Sequence, residues 1–97
     1  MNNYRIIWTN ESLDDLLNIE EFLGNNAYAD KMIDKIIARS EQLQAFPLSG
    51  QIQPSKSPKE YRYLIEGDYK IIYSFRSDLI SIHAIFDTRQ DPDKLNL

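Results

Sequence analysis

Residues 61–75 read YRYLIEGDYKIIYSF, and how this stretch pairs with itself decides the fold. Tyr61, Tyr63 and Ile65, then Tyr69, Ile71, Tyr73 and Phe75, occupy one alternation, while Arg62 and Lys70 sit on the other. Period-two alternation broken at Glu66-Gly67-Asp68 predicts two antiparallel strands, about 61–66 and 69–76. A third strand is expected at 79–87 after a Ser77-Asp78 turn, because Ile80 and Ile82 continue the apolar register.

Working outward toward the N-terminus, Tyr4 to Trp8 also alternates and predicts a first strand. TNES follows with several N-capping residues, and Ser12 and Asp15 stand at capping-box spacing. Ser12, Leu16, Ile19 and Leu23, flanked by Leu13 and Leu17, form a helical stripe that ends at Gly24-Asn25-Asn26. A second helix is expected from Tyr28 to Ala45, with Pro47 as its stop. The short link between the helices makes an antiparallel hairpin, and its apolar stripes are expected to be core rather than a partner groove. Residues 48–60 are rich in Pro and Ser and read as a loop, with room for a short edge strand at 51–53. The order β-α-α-β-β-β predicts an α+β domain, a helical hairpin packed on one face of a mostly antiparallel sheet.

With 97 residues the chain supports one domain, 1–97, and one core. It has no cysteine, which leaves neither disulfides nor thiolate metal sites. No apolar run approaches the roughly 20 residues of a membrane span. The N-terminus lacks the layout of a signal peptide, so a cytoplasmic protein without membrane contact is expected. The net charge of −4 argues against bulk attraction to nucleic acid. Acidic residues crowd the first third, however, and Lys56, Lys59, Arg62, Lys70, Arg76 and Arg89 are spread through the rest.

A three-residue turn at 66–68 pairs Ile65 with Tyr69 and Tyr63 with Ile71, and a two-residue turn at 77–78 pairs Tyr73 with Ile82. In that register Arg62, Ile72 and His83 form a row on the face away from the core. Lys70 lies between Leu64 and Ile85, with Asp87 beyond. Arg62 and Lys70 then read either as the wet side of a sheet or as an anion-binding face. Ile72 and Ile85 among those cations point to a covered surface, so Arg62, Lys70, Ile72 and Ile85 are the candidate partner-binding residues. His83, the only histidine, suits proton transfer near neutral pH. A lone strand histidine is more often structural. Asp87 reads as a strand-end cap. One histidine and scattered carboxylates give no metal-ligand spacing, and no cofactor motif is present.

Taken in order, the strand ending in Trp8, DDLLNIEEFL, the FP-x-x-G turn at 46–50, the YR at 61–62, YKIIY at 69–73 and DTRQ at 87–90 resemble the RelE/ParE superfamily of type II toxin–antitoxin toxins. The resemblance covers about residues 4 to 95. It implies a plasmid-stabilising, growth-inhibiting toxin, neutralised by an antitoxin segment laid over it, and leaves a homodimer open. Two targets follow from it: mRNA on the ribosome, cut without a metal ion, or DNA gyrase. Gln51 and Gln53 before the third strand, the tail QDPDKLNL, the acidic total and the long hairpin depart from the RNA-cleaving branch and favour gyrase. If the chain is a ribonuclease, His83, Arg62 and Arg89 are the candidate catalytic residues. A third outcome is an inactive relic that only binds its antitoxin.

Overall fold

The computed structural model describes residues 3–95 and residue 97; the ends of the expected 1–97 domain, at 1–2 and 96, lie outside them. Strand β1 (Arg5–Trp8) leads into helices α1 (Asn10–Phe22) and α2 (Ala27–Glu41), then a 3₁₀ turn (Gln42–Gln44). Strands β2 (Gln51–Gln53), β3 (Tyr61–Glu66), β4 (Tyr69–Arg76) and β5 (Leu79–Asp87) follow, and a short 3₁₀ turn (Pro92–Lys94) closes the chain. The expected α+β arrangement is present, with the 51–53 edge strand formed as β2. Among the described residues no helix is long and apolar enough to cross a membrane.

Each helix boundary has a local cause. Thr9, not Ser12, is the N-cap of α1: its side chain accepts from the Ser12 N–H, and Ser12 Oγ donates back to the Thr9 carbonyl. Gly24 and Asn25 then take positive φ, 98° and 51°, which turns the chain. Asn26 caps α2 by accepting from the Ala29 N–H. The second helix is shorter than expected because its last turn tightens to 3₁₀ before Pro47.

The sheet order is β1-β5-β4-β3-β2, with β1 parallel to β5 and the other pairs antiparallel. One face packs on the hairpin. Leu16, Ile19, Ile36 and Leu43 meet Leu64, Tyr69, Ile71, Tyr73, Ile80, Ile82 and Ile85 in a single buried cluster. Burying each large apolar side chain contributes about 1.5–3 kcal/mol, so sheet and hairpin hold each other.

Two features change the expected register. The β3–β4 loop has two residues, not three: Glu66 pairs with Tyr69, and Gly67 takes φ 59°. Glycine at the first central position matches the two-residue II′ hairpin, whose twist suits the strands. In addition, a bulge in β5 sets Tyr73 opposite Ile82 but Ile72 opposite Ala84, leaving His83 as the extra residue. Side-chain direction alternates with every residue, so each change moves a whole set of side chains to the other face.

Candidate functional site

The shifted register separates residues that the sequence placed together. Arg62 pairs with Tyr73, which lies in the core, so Arg62 sits on the helix-facing side of the sheet. His83 joins Ser74 on the opposite side, with Ser74 Oγ 2.8 Å from His83 Nε2. The expected row of Arg62, Ile72 and His83 therefore does not exist. Lys70 lies between Ile65 and Phe86 rather than between Leu64 and Ile85. Ile85 is a core residue on the helix side, and Ile72 is buried on the far side between Tyr63 and Ala84. The four candidate partner-binding residues thus split two and two across the sheet, Arg62 and Ile85 against Lys70 and Ile72.

Arg62 is committed to the chain itself. Its Nη1 donates to the carbonyls of Gly50, at 2.9 Å, and Leu48, at 3.4 Å, and its Nε meets Glu60 Oε1 at 3.2 Å. The Tyr73 hydroxyl fastens the same turn, donating to the Pro47 carbonyl at 2.8 Å and accepting from the Gly50 N–H at 3.0 Å. Burial raises the pKa of that phenol, which keeps it a donor. A Cβ on Gly50 would lie 2.6 Å from the Tyr73 Oη and 2.8 Å from the Tyr63 carbonyl oxygen, so only glycine fits. The FP-x-x-G turn and the YR pair are one structural unit.

The other two candidate cations, Arg89 and Lys70, are also partnered. Arg89 Nη2 and Nε meet the two carboxylate oxygens of Asp87 at 2.8 and 3.0 Å, and Asp68 lies 3.6 Å from Nη1. This fork-to-fork contact raises the Arg89 pKa further and lowers that of Asp87. Lys70 Nζ donates to Gln53 Oε1 at 3.1 Å and lies 4.2 Å from the centre of the Tyr63 ring.

His83 lines a cleft at the edge of the sheet. Beyond Trp8, β1 no longer covers β5, and α1 passes over the open edge, leaving a cleft of about 700 Å³. Glu11, Asp15, Tyr61, His83, Asp87 and Lys94 are among its polar groups. Asp15 accepts from the otherwise unpaired Ile85 N–H at 2.9 Å, so its work is to close a strand edge rather than a capping box. Burial raises the Asp15 pKa, the Ile85 N–H opposes the rise, and Asp14 and Glu11 add to it. Burial chiefly, and Lys59 next, hold His83 below its ordinary 6.5, so it is neutral at physiological pH. Tyr61 packs edge-on against the imidazole, 5.1 Å between ring centres. A Ser–His contact is the start of a nucleophile–base pair. Here Ser74 is only 5% exposed, and among the described residues no group hydrogen-bonds the His83 Nδ1. The pair is a satisfied polar contact beneath Tyr61.

The sequence reading missed a second surface. Leu13 and Leu17, expected in the core, are exposed, and with Leu16, Ile33, Glu20, Asp30 and Asp34 they line a groove between α1 and α2. Three acidic residues beside two leucines one turn apart were the available signal. Among the described residues no group of three or more His, Cys, Asp or Glu side chains could hold a metal ion.

The family model described as the ParE toxin of the type II toxin-antitoxin system, parDE, matches residues 6–92. A solved structure described as the chromosomal ParDE TA system from P. aeruginosa superposes with a TM-score of 0.74 at 22% identity, over 89% of this chain and 97% of that one. A YoeB/ParE toxin from Agrobacterium tumefaciens superposes with a TM-score of 0.55 at 19% identity, over 84% and 94%. At these identities the two structures speak for the fold. No curated protein sequence matches the chain. The family match spans the strand-hairpin-sheet unit described above, and the chain belongs to the ParE toxin family of type II toxin–antitoxin systems, in which an antitoxin is the partner.

Proposed function

We propose that this toxin acts by binding its target rather than by cleaving RNA, and that the target is DNA gyrase. The observation that carries the reading is the dispersal of the three candidate catalytic groups. Arg62 is on the side of the sheet opposite His83 and is tied to two loop carbonyls. Arg89 is neutralised by Asp87. Cleavage at a 2′-hydroxyl needs a base, an acid and a cation converging on one phosphate within hydrogen-bond reach. Arg62 cannot join His83 without breaking its contacts to the 46–50 turn, and Arg89 is paired with Asp87 at the surface. Gyrase as the target is supported by the match to the ParE toxin model and by the acidic chain, which suits ribosomal RNA poorly.

Induction in a bacterial host tests the reading. Growth arrest relieved by the antitoxin, intact transcripts and altered plasmid supercoiling are expected, and His83→Ala should leave all three unchanged. Transcripts cut within translated codons, with cutting abolished by His83→Ala, would overturn it. Normal growth at high soluble expression would point to a chain that only binds its antitoxin.

A further inference from the structure

The net charge of −4 conceals a separation of charge between the two faces of the sheet. The hairpin packs on one face, which the core residues Tyr69, Ile71, Tyr73, Ile80 and Ile82 define. Ile6 and Trp8 pack on that side too, so alternation turns Arg5 of β1 and Lys70 and Arg76 of β4 to the other. The strands hold two carboxylates, Glu66 and Asp87, and both stand opposite Tyr69, on the hairpin side. The strand positions of the far face therefore carry three cations and no acid. Lys59, just before β3, adds a fourth cation: its Nζ lies 5.7 Å from the centre of the Tyr61 ring, which packs on His83.

The strands fix where these charges stand. Arg5 pairs with Leu79 and Leu79 with Arg76, so the two arginines share a row and start two strands, about 10 Å, apart. Lys70 is six residues along β4 from Arg76, about 20 Å away. Both arginines are exposed, and among the described residues neither has a carboxylate within ion-pair distance. Lys70 lies over the Tyr63 ring and donates to the uncharged amide of Gln53, so no carboxylate cancels it.

We propose that this far face binds the phosphate backbone of duplex DNA without reading its sequence. Cations fixed by strands, with no carboxylate among them, are complementary to a polyanion. A duplex carries one charge per about 1.7 Å of its axis. An extended acidic peptide carries at most one per about 3.3 Å, half that density. Single-stranded nucleic acid is held by bases stacked on open aromatic faces. Here Tyr61 and Tyr63 each already have a lysine over the ring, which disfavours stacking. The acidic helices then point away from the duplex. The inference goes beyond the gyrase reading, although a toxin seated on gyrase would meet the duplex that gyrase holds, where a high effective concentration offsets weak binding.

The probe is a fluorescein-labelled duplex of about 20 base pairs, against the roughly six that the face spans. Anisotropy with the full chain at low salt should show saturable binding. Log K should fall against log salt with a slope of about −3 to −4, for three or four phosphate contacts. Arg5→Glu with Arg76→Glu should weaken binding by roughly ten-fold or more and flatten that slope. Lys31→Glu with Lys35→Glu, at exposed positions of α2, makes the same change in net charge on the hairpin side. That pair should cost about three-fold or less. Circular dichroism checks that both variants fold. Several results would overturn the proposal: no duplex binding, single-stranded DNA or poly-glutamate bound as tightly, or equal losses in the two variants. Gyrase inhibition is measured separately. Duplex binding without inhibition would sink the gyrase reading and leave this inference standing; inhibition by a chain that binds no duplex would do the reverse.

Discussion

Two polar clusters lie back to back on the β3–β4 sheet, and they differ in what is left over. On the helix side Arg62 and the Tyr73 hydroxyl donate to carbonyls of the 46–50 turn, and the Gly50 N–H donates back to Tyr73. On the far side His83 and Ser74 satisfy each other beneath Tyr61, beside an open cleft. The first cluster holds a loop to a strand. The second is a strand bulge whose histidine has one ring nitrogen engaged. An arginine beside a tyrosine is thus no evidence of catalysis until its hydrogen bonds have been traced.

The contrast is broken most strongly at Gly50. Gly50→Ala puts a methyl 2.6 Å from the Tyr73 oxygen and against a strand carbonyl. Overpacking of this kind should cost about 3 kcal/mol, read as a lower midpoint in urea unfolding. Tyr73→Phe comes next. It leaves the Gly50 N–H without its acceptor inside the fold, at about 2 kcal/mol. Arg62→Ala removes the second tie to the same turn, at about 1 kcal/mol. A double-mutant cycle of Tyr73→Phe with Arg62→Ala should show coupling, because both act on one loop.

The far side should respond to pH rather than to packing. The folded state holds His83 below its ordinary 6.5, so unfolding takes up a proton in mildly acid solution. The stability it contributes is complete above about 6.5 and is lost as pH falls through the folded value. His83→Gln should flatten thermal unfolding between neutral and mildly acid pH without moving the neutral midpoint far. Asp15 has the opposite sign. Its folded pKa is raised, so its ionisation costs stability as pH rises through that value. Asp15→Asn keeps an acceptor for the Ile85 N–H and should remove this slope, the smallest effect of the series, while Asp15→Ala should expose the strand edge and cost more.

Much of the architecture was legible from residues 61–87. The three strands have the expected bounds, because alternation of large apolar side chains reports one buried face. The face assignment was not legible. Glu66-Gly67-Asp68 admits a two- or a three-residue loop, and a single residue moves Arg62 across the sheet. Ile80, Ile82 and Ile85 carried the trace of the bulge, since their spacing changes from two to three, and His83 stands inside the change. Leu13 and Leu17 show the limit of helical periodicity. It finds the stripe, but the sheet covers only the part that Leu16 and Ile19 occupy. The Arg62 partners are carbonyls from a loop a dozen residues earlier, which no side-chain pattern reveals.

The proposed action is that the chain disables gyrase by occupying it, without cleaving RNA. Supercoiling of relaxed plasmid by purified gyrase, with this chain and with His83→Ala added in equal amounts, tests that most directly. Equal, saturable inhibition by both is the predicted result; full gyrase activity in the presence of excess folded chain would contradict it.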